Sequence, residues 1–191
     1  MLPVQTSRWS GAALIVGSLF FIVNKFNDMS RVFLNKPIPD LITGQSIGLI
    51  AIGQIALVIG LLGCHRLYAR RCNRTGKIGL ILLLSGGVLL AFGHITFTPI
   101  VKDSPLFILV LLGVLLMMAG MTLFGAINLR TKALQYWQPL PLVTGLLGIV
   151  AFPLTSQNPA VFLVLRTLFG VGLVLLGLVM WQDTPSNVQP N

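Results

Sequence analysis

Six apolar runs follow one another through this chain, each close to the ~20 residues that a helix needs to cross the hydrocarbon layer of a bilayer. They cover about residues 9–26, 42–65, 78–98, 106–128, 138–155 and 160–181, with short polar stretches between them. In hydrocarbon every backbone N–H and C=O must be satisfied within the segment, so runs of this length predict helices. With 55% hydrophobic and 9% charged residues and a mean hydropathy of +0.91, nothing is left over for a separate soluble domain. The expectation is one all-α domain, residues 1–191, a polytopic integral membrane bundle of six transmembrane helices.

Glycine placement suggests how such helices pack. Gly79, Gly86 and Gly93 recur every seven residues in the third run, Gly113 and Gly120 in the fourth, Gly170 and Gly177 in the sixth. A glycine inside a helix costs ~1 kcal/mol relative to alanine, so something must offset it. Helices in lipid gain no hydrophobic energy by associating, and close backbone approach along faces of small residues is the force that remains. The sequence therefore predicts glycine-rich packing seams within the chain or towards a partner.

The net charge of +9 does not point to nucleic acid, because the basic residues sit in short loops where lipid headgroups would meet them. Arg8, Arg66, Arg70, Arg71, Arg74, Lys77, Arg130 and Lys132 fall on one side of the predicted topology; Lys25, Arg31, Lys36 and Lys102 fall on the other. The richer side is expected to be cytoplasmic, placing both termini there in the cell membrane. Asn24-Lys25-Phe26 offers no small-residue cleavage site, so the first run reads as a retained helix rather than a signal peptide. Cys64 and Cys72 lie towards the cytoplasmic side, where thiols stay reduced. Asn27 to Leu41, closed by Pro37 and Pro39, is expected to be a loop on the membrane surface, and the polar tail from Gln182 is expected to fray.

Sorting the polar residues by depth places Asn24, Thr43, Gln45, Ser46, His94, Thr96, Thr98, Arg166 and Thr167 in the outer half of the bilayer, with Gln54 near the middle. Arg166 is the only charge as deep as about two turns into a run. If it faces inward it favours an anion; near a helix end it could instead extend to the headgroups, or pair with Asp40 or Asp103. Arg166, His94, Gln54 and Gln45 are the candidate ligand-binding residues, in an outward-facing polar cavity.

Several chemistries are disfavoured. His65 and His94 lie at opposite depths, which does not suit a bis-histidine haem. Every lysine lies at the end of a run or in a loop, whereas a retinal Schiff base would require one within a helix, and the aspartates all lie outside the runs, away from any proton path. No HExxH, GxSxG or phosphate-loop motif is present. The sequence thus points to no enzyme, cofactor or metal. Two readings remain. The first and favoured is a non-enzymatic scaffold or accessory subunit, partnered by the lipid bilayer and by a membrane protein or a second copy of itself. The alternative is a small carrier or binding protein for a polar or anionic solute or lipid headgroup.

Overall fold

In a computed structural model the described residues are 4–39, 47–96, 107–155 and 158–183. Among them are seven α-helices and no strand. They are α1 (Val4–Val23), α2 (Phe26–Leu34), α3 (Ile47–Tyr68), α4 (Arg74–Thr96), α5 (Phe107–Thr131), α6 (Leu140–Ala151) and α7 (Pro159–Gln182). A 3-10 turn, Phe152–Thr155, prolongs α6.

Five of these are long and apolar enough to cross a membrane, the first merged with α2; α6 is a shorter apolar helix. The helix ends follow local chemistry. Asn73 caps α4 by accepting from the Gly76 amide (2.9 Å), and Asn158 caps α7 by accepting from Val161 N (3.2 Å), with Pro159 in the first turn.

Helices adjacent in the ring run antiparallel: α1 packs on α3, α3 on α4, α4 on α5, α5 on α6, α6 on α7, and α7 returns to α1. Several glycines lie where neighbouring helices come close. A Cβ added at Gly86 would meet Gly113 O at 2.6 Å, and one at Gly79 would meet Phe124 N at 2.7 Å. At the closing pair, a Cβ at Gly11 would meet Gly177 O at 2.7 Å. Only hydrogen fits at such distances, so side chains larger than glycine would push these helices apart.

Each helix turns one stripe inward. On α3 it is Gln54, Leu57, Leu61, Cys64 and Tyr68; on α7 it is Leu163, Phe169, Leu173, Leu176 and Met180. The opposite faces keep large apolar side chains exposed, such as Ile52, Ile55 and Ile59 on α3. That inverts the pattern of a water-soluble helix and suits a lipid surround.

Two expectations need correction. The stretch from Asn27 is not a loop from its start: Phe26–Leu34 is helical, with Asn27 and Ser30 buried and Val32, Phe33 and Leu34 exposed. Asn35 ends it in the left-handed conformation (φ 54°), and the prolines follow; they stop the chain after this helix rather than preventing it. Nor is the start of the polar tail frayed, the rest of it, 184–191, lying outside the described residues. Asp183 is buried and pairs with Arg71 at 2.9 Å, because the carboxylate finds a cation 112 residues away in sequence.

Candidate functional site

The connection between α3 and α4, with Arg70 and Arg71 in it, Arg66 in the last turn of α3 and Arg74 at the start of α4, marks a basic end of the molecule. At the distal end, α5 and α6 diverge. Nearer the basic end their backbones are close: a Cβ at Gly145 would meet Thr122 N at 2.5 Å. One turn further, a Cβ at Gly148 would meet the Met118 side chain instead. The short α6 then gives way to its 3-10 turn, leaving a cavity of about 260 Å³.

Most of the cavity wall is apolar, supplied by Phe21, Val110, Val114, Met118, Phe162 and Phe169 among others. Lys25, His94 and Arg166 supply its ionisable groups. Arg166 does not extend outward to a surface. Its guanidinium lies over the Phe21 ring, 4.0 Å from the centroid, and donates from Nη1 to Phe21 O at 3.3 Å. Phe169 meets the same ring edge-on at 6.3 Å. No carboxylate among the described residues pairs with Arg166. Lys25 differs: its ammonium is neutralised by Asp28 at 2.6 Å. The cavity therefore holds one cation satisfied by a carbonyl and a π-face.

His94 lies half-buried on the cavity wall. Behind it, Gln54 Nε2 is 3.2 Å from His94 Nδ1. The two groups share one hydrogen bond, whose direction follows the tautomer of the ring. Gln54 is buried and its Oε1 has no hydrogen-bond partner; it orients His94 and does not line the cavity. Of the four residues singled out from sequence, Arg166 and His94 share one cavity and Gln54 stands behind them. Gln45 lies outside the described residues, as do Asp40 and Asp103. Sequence reasoning missed Lys25 and the phenylalanine platform of Phe21 and Phe169.

The helix α2 lies at the rim. Its Met29 sulfur accepts from Thr167 Oγ1 at 3.6 Å, one residue beyond Arg166. Ser30 Oγ donates to Lys36 O, and Asn27 Oδ1 accepts from Ile38 N at 3.4 Å. These bonds fold the chain back after α2 and hold it across α7.

At the basic end, Arg71 donates from Nη1 to Asp183 Oδ2 (2.9 Å) and to Ala133 O (3.3 Å), tying the end of α7 to two loops. Asn128 holds the loop before α6, accepting from Leu134 N and donating to Gln138 O, both at 2.8 Å. Cys64 and Cys72 are free and buried. Burial raises the Cys72 thiol above its ordinary value, against smaller lowering by Thr131 and Lys77. No group of three possible metal ligands occurs among the described residues.

With only helices among the described residues, five of them fit to span a bilayer, the chain has the character of a membrane-spanning protein, and its mainly apolar cavity is lined by one arginine outside any described ion pair. Its sequence matches no protein-family model and no characterised protein, and no solved structure matches its fold.

Proposed function

We propose that this protein is a non-enzymatic membrane binding protein or carrier for a small anionic amphiphile, held in the distal cavity. The observation that carries the reading is Arg166, which lines the cavity and forms no ion pair among the described residues, the nearby Asp28 being paired with Lys25. A charge in such surroundings is costly unless paired, and a ligand carboxylate or phosphate would supply the pair through guanidinium N–H donors. His94, on the same cavity wall, would add a second polar contact. The apolar wall suits a short hydrocarbon portion better than a fully polar solute.

The scaffold reading loses support from the glycines. At the closest approaches their open faces meet neighbouring helices of this same chain, so those faces are not free for a partner. The reading rests on a six-span bundle with glycine seams inside it, α6 and its 3-10 turn making the sixth crossing. Twelve α-helical and four 3-10 residues reach ~26 Å, close to the ~30 Å hydrocarbon layer.

The test is thermal unfolding of the purified protein in detergent with octanoate, octyl phosphate or neutral octanol. Octanoate or octyl phosphate at a hundred times its dissociation constant is expected to stabilise the wild type by ~2.7 kcal/mol, and octanol much less. Arg166→Gln should lose most of the anion-specific shift. Equal shifts in wild type and variant for every probe, or none in either, would refute the site.

A further inference from the structure

A second site lies at the opposite end, on the outer face of α1 and α3. These helices come together where Ser10 meets Gly63, a pairing so close that a Cβ on Gly63 would collide with the serine side chain. Such small residues leave the surface above them hollow. The result is a groove of about 240 Å³, with Ser10 and Gly63 inside it, Trp9 on one side, Ile59 and Leu62 on the other, and Arg66 at its mouth. Across Arg66 a second hollow, about 350 Å³, is lined by His65, Arg66, Ala69 and Arg70.

The charge balance here is one-sided. Arg66 and Arg70 are exposed and neither forms an ion pair among the described residues. The chain has four acidic residues. Asp28 belongs to the distal end, and Asp40 and Asp103 lie in sequence within the connections on that side. Asp183 lies at the basic end, and Arg71 already holds it. Among the described residues no other carboxylate pairs with these arginines.

We propose that the groove and the adjoining basic hollow together form a binding site for an anionic phospholipid. The phosphate is held between Arg66 and Arg70, and an acyl chain lies along Ile59, Leu62 and Gly63. Trp9, 69% exposed, supplies the amphipathic ring that favours the headgroup level. Arginine binds phosphate through several N–H donors at once, and a basic pocket beside transmembrane helices attracts anionic headgroups. A free anion would use the arginines and leave the groove empty; a zwitterionic lipid would use the groove and gain little from the arginines. The pairing of the two selects a lipid with net negative charge.

The experiment compares thermal unfolding of the full chain in detergent supplemented with phosphatidylglycerol, phosphatidylcholine or inorganic phosphate. Phosphatidylglycerol is expected to stabilise more than phosphatidylcholine, and inorganic phosphate not at all. Arg66→Gln should weaken the phosphatidylglycerol response about fivefold. Arg130→Gln, an exposed arginine at the same end but outside the groove, should leave it unchanged. Leu62→Trp, which fills the groove and keeps every charge, should also abolish the preference; its melting point with phosphatidylcholine alone reports whether it folds. Equal losses in Arg66→Gln and Arg130→Gln would overturn the site in favour of diffuse attraction. A full response to inorganic phosphate, or no preference between the two lipids, would overturn it as well.

Discussion

Arg71 and Arg166 are both arginines near helix ends, yet their surroundings give them different work. Arg166 meets a carbonyl and an aromatic face and forms no ion pair among the described residues. Arg71 meets Asp183, whose side chain is wholly inaccessible, while its own is 30% exposed. Removing the arginine strands a buried carboxylate; removing the aspartate leaves a cation that can turn to water. Breaking a fully buried pair by deleting one partner costs ~3–5 kcal/mol, and partial exposure reduces that. Arg71→Ala is therefore expected to destabilise the protein by ~2 kcal/mol, and Asp183→Asn by clearly less. Reversible unfolding in mixed micelles measures both; equal losses would mean that Asp183 is hydrated without its partner. This contact was not legible in the sequence, where Asp183 reads as the start of a polar tail. The orientation of Arg166 was partly legible. It lies three residues after Leu163 and three before Phe169, on the stripe that Gly170 and Gly177 continue towards α1. The helical phase of those glycines points the arginine inward.

Among the elements, the long apolar helices were plain in the sequence because length and hydrophobicity alone define them. The boundary of α2 was not. Val32, Phe33 and Leu34 looked like loop residues ahead of two prolines, but Asn35 two positions before Pro37 is a helix stop signal, implying a helix in front of it. With Asn27 and Ser30 turned inward and Val32, Phe33 and Leu34 outward, α2 is amphipathic in a sense that suits a membrane interface. A nitroxide on Leu34→Cys, in reconstituted protein whose Cys64 and Cys72 are replaced by serine, should collide more with oxygen than with a water-soluble nickel complex. Its depth should be just below the phosphates. The reverse preference would place α2 in water and remove it from the cavity rim. Gln45 and the connections around Thr98 and Asp103 belong to the same distal region in sequence, but they fall outside the described residues and add nothing to its geometry.

At the scale of the molecule, helix direction and charge both support the six-span topology proposed above. Ser7 Oγ donates to Met180 O at 2.9 Å, so the start of α1 and the end of α7 lie side by side, at the end that carries the arginine loop. Five crossings would put those two ends on opposite faces of a membrane. In the proposed topology α6 supplies a sixth crossing and leaves them on one face. Its direction agrees: Leu142 lies beside Gly125 near the basic end, and Gly148 lies beside Met118 towards the distal end. The excess of Lys and Arg at the basic end then predicts that both termini are cytoplasmic. Paired reporter fusions, one active only in the cytoplasm and one only outside, should report the cytoplasm at both the amino and the carboxyl end. Reporters on opposite sides would mean that α6 does not cross and that the ring of helices opens between α7 and α1. Because Arg66, Arg70 and Arg74 carry most of the charge difference that is not already paired, changing all three to glutamine should give a mixture of orientations. The same number of substitutions at Arg31, Lys36 and Lys102 should leave the topology uniform, since those residues lie on the side already poorer in positive charge.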